Sequence, residues 1–408
     1  MRVLVRLHEA GSASYLVGGC VRDLMLGREP KDFDVVTNLH PEQIKELFRN
    51  TRLIGRRFRL AHVHFGREII EVATFRAAAP ERQNGAVIET EQQILGDNIF
   101  GTQEEDAWRR DFTVNALYYS TEDRSVRDYV GGVEDLRQGV LRMIGDPETR
   151  YREDPVRMLR VVRFAAKLGF RIDAKTAAPL RDLGSLLTNV SAARLFEEVL
   201  KLFQGGYALQ TYELLRQYNL FQYLFPLTEQ SLAQEQDHYP ITLLPRALAN
   251  TDKRISENKP VTPAFLFAAL LWEPVRLDAQ QRIAQGTRPH EAMQLAAEHV
   301  LRQQLRHIAL PKRFSFPMRE IWAMQSKFAR RHGKQSHRLL EHKRFRAAYD
   351  FLLLRAETGE ESAALATWWT EFQEVNPEEQ GIMLSALTST EGGGSRKKGK
   401  SRSARRAH

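Results

Sequence analysis

Residues 16–34, L-V-G-G-C-V-R-D-L-M-L-G-R-E-P-K-D-F-D, constrain this chain more than any other stretch, because they tie a glycine turn to paired carboxylates within one short unit. Tyr15, Leu16 and Val17 have the character of a buried strand end, Gly18 and Gly19 permit a tight turn, and residues 21–26 have helix-forming composition. A strand, a glycine turn and a helix start make an anion cradle. Asp32 and Asp34 then flank Phe33. Two strand positions of equal parity project from one face, so both carboxylates can share a divalent cation. Glycine pairs often mark plain turns, and an Asp-x-Asp can be a solvated loop. The order, cradle first and carboxylates next, points to metal-assisted chemistry on a phosphate.

A chain of 408 residues with 42% apolar composition is expected to form two or three domains. No apolar run is long enough to span a bilayer, the longest lying near residues 264–272, and residues 1–7 are too few and too charged for a signal peptide. A cytoplasmic protein without a membrane partner is expected. The single cysteine, Cys20, excludes an internal disulfide and sits in the glycine turn as a packing residue. Net charge is +9, and seven of the cations fall in residues 392–408, a Gly/Ser-rich stretch without an acid. That tail, with Lys397, Lys398, Arg405 and Arg406, reads as disordered and free to reach polyanions. The plainer alternative is a solubilising end.

Residues 1–145 alternate short apolar runs with turns, which predicts an α+β head with a mixed sheet. Strand candidates are residues 14–17, 32–36, 62–65, 69–75 and 113–120. Residues 77–97 dissolve into polar sequence and read as a functional loop or a tolerated insertion. After Asp146-Pro147 the pattern turns helical. Asp154 is a good N-cap, Pro155 suits a first turn, and Gly169 is placed to stop the helix. Met158, Leu159, Val161, Val162, Ala165, Ala166 and Leu168 cover one side of it, and Arg157, Arg160, Arg163 and Lys167 gather on the other. The expected organisation is an α+β head at 1–145, a helical neck at 146–215, an all-helical body at 216–390 and the basic tail at 391–408.

Two-metal nucleotidyl transfer needs carboxylates that hold cations roughly 3.5–4 Å apart. Asp32 and Asp34 supply two. A third comes from Glu71, whose apolar neighbours would make a charge there costly, or from Asp111 in R-R-D-F-T-V-N-A. The alternatives are an exposed edge position for Glu71 and an ion pair of Asp111 with Arg109 or Arg110. Arg22 is placed to meet triphosphate oxygens, with Asp23 orienting it or capping the helix. Arg110, Asp111 and Asn115 suit ribose and phosphate. Glu153, Asp154, Arg157 and Arg160 place a carboxylate and an arginine one turn apart, as reading a base edge requires, or as simple i,i+3 pairing would produce. His290-Glu291 lacks the second histidine of a zinc protease helix, Gln294 standing there, and Walker, dinucleotide and nucleophile-elbow patterns are absent.

Together, L-V-G-G-C-V-R-D with D-F-D, R-R-D-F-T-V-N-A and E-D-P-V-R-M-L-R resemble the class II nucleotidyltransferases, which include bacterial poly(A) polymerases and tRNA CCA-adding enzymes. L-I-G-R-R-F-R-L-A-H-V-H at 53–64, H-I-A-L-P-K-R-F, L-L-E-H-K-R-F-R-A-A-Y-D and the basic tail are similar to the polymerase branch. The resemblance runs from about residue 4 to 372. Cys20 departs from the usual Gly or Ala, and the chain begins close to its first strand where relatives carry more, which leaves the start codon open. The resemblance implies catalytic carboxylates at Asp32, Asp34 and Asp111, with Glu71 as a further metal-side carboxylate, and base recognition by Glu153, Asp154, Arg157 and Arg160.

The expected reaction is template-independent transfer of AMP from ATP to RNA 3′ ends with two Mg²⁺ ions and release of pyrophosphate. Gly18, Gly19 and Arg22 would hold the triphosphate, and RNA would cross Arg56, Arg57, Arg59 and the tail. RNA-decay proteins are further candidate partners, and a monomer is the default. The rival readings are CCA addition to tRNA and an inactive RNA-binding protein.

Overall fold

Every residue of strand β1 (Ser14–Val17) is buried, as the apolar run before the glycine turn predicts. It lies inside a mixed sheet in a computed structural model that describes residues 2–55, 59–66, 68–77, 100–233 and 242–392. On one side β1 pairs antiparallel with β2 (Asp34–Thr37), and on the other with β6 (Leu117–Tyr119). The described strands run in the order β3-β4-β5-β2-β1-β6-β7, where β3 is Thr51–Ile54, β4 Leu60–Phe65, β5 Glu68–Thr74 and β7 Val126–Asp128. Only β2 and β5 run parallel within this sheet, with Asp34 paired in register to Glu71. That pairing sets the site.

The chain divides into two units, Met1–Leu186 and Leu187–His408. The first holds the mixed sheet and the helices packed with it. Helix α1 (Arg2–Glu9) precedes β1, and α2 (Gly19–Met25) follows the glycine turn. Next come α3 (Pro41–Leu47), α4 (Gln103–Trp108), α5 (Gly132–Gln138), α6 (Pro147–Glu153) and α7 (Val156–Leu168). Pro155, not Asp154, takes the N-cap position of α7, and Asp154, which ends α6, accepts the Val156 N–H at 3.2 Å. Gly169 ends α7 at φ 72°, donating its N–H to Ala165 at 2.9 Å. All seven apolar residues assigned to one side of this helix are buried. Removing one large member, Met158, costs about 2–5 kcal/mol.

Three expectations are corrected. Strand β2 begins at Asp34, so Asp32 lies in the turn before it and does not share a strand with Asp34. The start of 113–120 is a 3-10 turn, Thr113–Asn115, because the Thr113 hydroxyl is tied to Asp135 at 2.7 Å and its carbonyl lies close against Gly132. A Cβ at Gly132 would sit 2.2 Å from that carbonyl oxygen. Helices begin at Pro147, one element earlier than Asp154-Pro155, with Asp146 accepting the Thr149 N–H at 2.9 Å. Short strands β3, β7 and the pair β8 (Val140–Leu141) and β9 (Arg171–Ile172) carry too little periodicity to be foreseen.

The described part of the second unit is helical apart from a short 3-10 stretch at its start. Trp272, Trp322 and Trp369 anchor its interior, each at most 1% exposed. Each indole N–H has an acceptor, Glu360 at 2.9 Å, the Ala268 carbonyl at 3.1 Å and the Phe328 carbonyl at 3.0 Å, as buried tryptophans require. No described helix is long and apolar enough to cross a membrane. Residues 78–99, which hold most of the polar loop, and the tail from 393 lie outside the described residues.

Candidate active site

Gly18 stands between β1 and α2 at φ 78°, ψ −130°, a conformation that is essentially glycine's alone. Its N–H donates to the Leu117 carbonyl at 3.1 Å, so the turn is pinned to the neighbouring strand. A Cβ at Gly18 would lie 3.4 Å from Arg110 Nη1, and one at Gly19 would lie 3.6 Å from Arg22 Nη2. The missing side chains leave a shallow gap backed by guanidinium groups.

Asp34 is half-buried, and its partner Glu71 on β5 has a side chain 49% exposed. Burial pushes the Asp34 carboxyl above its ordinary value, the nearby charges of Glu71 and Asp32 add to this, and Arg110 works against it. Among the described residues neither Asp32 nor Asp34 has an ion-pair partner. Glu71 is not the costly buried charge its apolar neighbours suggest, nor is it on a sheet edge, since β5 lies between β4 and β2. His62, paired with Glu71 across β4, brings Nε2 to 3.2 Å of Oε1 without hydrogen-bond alignment.

The arginines behind this pair are held by other acids. Asp106, fully buried, takes Arg109 and both Nε and Nη2 of Arg110, at 3.1 and 3.0 Å, and accepts the Tyr118 hydroxyl at 2.8 Å. Burial alone would raise its carboxyl, but Arg110 and Arg109 hold it below the ordinary value. Arg110 is correspondingly raised, its burial outweighed by Asp106 and Tyr118. Asp106 as the anchor is absent from the sequence reading, although its i,i+3 and i,i+4 spacing to Arg109 and Arg110, just past α4, was the available signal.

Asp111 pairs with neither Arg109 nor Arg110. Its Oδ2 takes Arg160 Nε at 2.8 Å together with Nη2, and its Oδ1 accepts the Phe112 N–H at 2.9 Å and Asn115 Nδ2 at 3.3 Å. Burial would raise Asp111, and Arg160 with these donors brings it below the ordinary value. Asn115 in turn accepts Arg22 Nη1 at 2.6 Å. Arg22 is 2% exposed, bonded also to Asp23 at 2.8 and 2.7 Å, so it braces the turn from inside and is not presented to a triphosphate. A polar chain, Arg22–Asn115–Asp111–Arg160, thus links the glycine turn to α7. The structure brings Glu71 to Asp34 and engages Asp111 with Arg160.

On α6 and α7, Glu153 takes Arg157 at 2.6 Å and Arg150 at 3.2 Å, and Arg157 also donates to the Arg150 carbonyl at 2.9 Å. The cationic side of α7 is therefore largely paired, with Lys167 3.9 Å from Asp23 and Arg163 over Phe164. Arg59 is exposed and pairs with Glu42 at 2.5 Å. Arg56, Arg57, Lys397, Lys398, Arg405 and Arg406 lie outside the described residues.

Asp34, Glu71 and Asp32 offer hard oxygen donors whose mutual repulsion a cation would relieve, which fits Mg²⁺ in chemistry. The described residues hold no ready cluster of three donors for a metal. Mg²⁺ habitually keeps waters and takes substrate phosphates beside one or two carboxylates, so the pair suffices as the protein's share.

Sheet, glycine turn and carboxylate pair define a nucleotidyltransferase head. A family model described as the Poly A polymerase head domain matches residues 14–142. Models described as the probable RNA and SrmB-binding site of polymerase A and as the polymerase A arginine-rich C-terminus match residues 169–232 and 285–407. Poly(A) polymerase I of Escherichia coli is 53% identical over 401 residues, 95% of this chain and 84% of that one. The Haemophilus influenzae enzyme of the same name is 48% identical over 385 residues, 93% and 85% of the two chains. The chain belongs to the bacterial poly(A) polymerase family. A CCA-adding enzyme of Lactobacillus helveticus is 38% identical over 216 residues, 52% of each chain. Among solved structures, the Bacillus stearothermophilus CCA-adding enzyme in complex with CTP aligns with a TM-score of 0.63 and 25% identity over 91% of this chain and 80% of that one.

Proposed function

We propose that this protein extends RNA 3′ ends with AMP from ATP, releasing pyrophosphate. The observation that carries the reading is the carboxylate pair Asp34–Glu71, with Asp32 beside it, set next to a glycine turn backed by Arg110. Asp32, Asp34 and Glu71 are the residues that would hold two Mg²⁺ ions, which when bound supply charge neutralisation at the reacting phosphate and activation of the attacking hydroxyl. Gly18 and Gly19 admit the triphosphate to the gap in front of Arg110, whose guanidinium is kept charged by Asp106. The RNA 3′-hydroxyl attacks the α-phosphorus in line, and the bond to pyrophosphate breaks on the opposite side. Asp111 acts in this reading as the acid that fixes Arg160 and Asn115, holding the head's turn and the neck helix in one geometry. Asp154 and Arg157 on the neck read the adenine edge, a role supported by the motif's resemblance to its relatives and by the half-buried placement of both residues.

The likeness to CCA-adding enzymes supplies the rival outcome. The test offers ATP or CTP separately, with Mg²⁺, to a generic RNA and to tRNA. Long tails from ATP alone on the generic RNA are expected. A short C-C-A end confined to tRNA, or no incorporation with RNA binding retained, would overturn the reading.

A further inference from the structure

In the second unit, an open cavity of about 520 Å³ lies between the first half of the helix Lys312–Phe328 and the turn that precedes the helix Phe345–Glu357. Its size is that of a small-ligand pocket. Phe316 stands in it with 55% of its surface exposed. A lone exposed phenylalanine needs no explanation, but this one is ringed by charge. Lys312, Arg313, Arg319, Lys343 and Arg344 line the same cavity against one carboxylate, Glu320. Lys312, Phe316 and Arg319 follow i, i+4, i+7 spacing and so share one stripe of the helix.

Glu320 does not neutralise the ring. It takes Arg344 at 3.2 Å and sits 3.9 Å from Lys343, which steadies those two cations and leaves the others to solvent. An exposed ring and surplus positive charge suit a partner with a flat π-face and phosphates. A protein interface core would instead be poor in lysine.

We infer that this cavity binds single-stranded RNA, with one base stacked on Phe316 and flanking phosphates on Lys312, Arg313, Lys343 and Arg344. The choice of RNA among polyanions rests on the proposed polyadenylation. The site lies outside residues 169–232, the segment matched by the RNA and SrmB-binding model.

The test measures binding of a labelled oligoadenylate to the full chain by anisotropy across a salt series, for wild type and for Phe316→Ala, Phe316→Leu and Phe316→Trp. Phe316 is exposed, so these variants keep the fold, which melting curves verify. Ala and Leu are expected to weaken binding by roughly 5- to 100-fold, the range set by loss of one base stack, while Trp retains it. The triple variant Lys312→Ala, Arg313→Ala, Lys343→Ala is expected to flatten the slope of log K against log salt by about 2, at about 0.7 per phosphate contact. Unchanged affinity in Phe316→Ala, or full affinity in Phe316→Leu, overturns the site. Extension of the same RNA by wild type with ATP is followed in parallel. If wild type extends it and Phe316→Ala binds normally, the cavity assignment fails alone; if wild type extends nothing yet Phe316→Ala loses binding, polyadenylation fails and the cavity stands.

Discussion

Two acidic groups in the head are built on opposite terms. Asp106 is buried and Asp111 half-buried, and each is saturated by arginine and neutral donors, so their charge is spent on architecture. Asp34, Glu71 and Asp32 crowd one another; among the described residues Asp34 and Asp32 have no ion pair, Arg110 in the background eases Asp34, and His62 approaches Glu71. A protein tolerates such repulsion where an incoming cation repays it. The contrast separates residues that hold the site from residues that act in it.

The largest effect that sharpens this contrast falls on activity. Asp34→Ala should lower AMP incorporation at least about ten-thousandfold, about 5 kcal/mol in barrier, with the fold intact by circular dichroism. Retained incorporation would place the reacting site elsewhere. Next comes Asp106→Ala, which leaves Arg110 and Arg109 without their counter-charge and should cost about 3–5 kcal/mol in a urea unfolding curve. An unaltered midpoint would break the architectural half of the comparison.

The two groups should also respond to pH with opposite signs. Asp34 binds its proton more tightly when folded, so its charged form destabilises, a penalty absent below the ordinary value of 3.8 and complete once pH exceeds the raised folded value. Asp106 and Asp111 bind theirs less tightly when folded, so they stabilise above 3.8 and lose that contribution as pH falls through their lowered values. Without Mg²⁺, Asp34→Asn should therefore melt higher than wild type at neutral pH, with the gap closing on acidification to 3.8. Asp106→Asn should melt lower, with its deficit shrinking only below that point. Smallest is the exposed pair Arg59–Glu42, where Arg59→Ala should change stability by less than about 1 kcal/mol.

Much of this site could be read from local sequence. The glycine turn, strand β1 and the buried side of α7 follow from short-range patterns that physics enforces residue by residue, namely backbone freedom at Gly18 and 3.6-residue periodicity from Met158 to Leu168. The pairing of charges could not be read, because it depends on distance in the fold. Arg160 reaches Asp111 across 49 positions of sequence. Arg22 has the composition of a phosphate ligand, yet it turns inward because Asn115 and Asp23 are within reach. Asp32 and Asp34 share parity, but the strand starts only at Asp34, where pairing with β5 begins. Parallel pairing between β2 and β5 is what made Glu71 a neighbour of Asp34, and no local pattern announces it.

In the proposed reaction a divalent cation is received at Asp34 and Glu71. Thermal melts of wild type and Asp34→Asn across a Mg²⁺ titration test it without relying on turnover. Wild type should start below the variant and rise with Mg²⁺ until the gap closes or reverses, while Asp34→Asn barely moves. A wild-type melting temperature indifferent to Mg²⁺, or an equal rise in both proteins, would contradict the account.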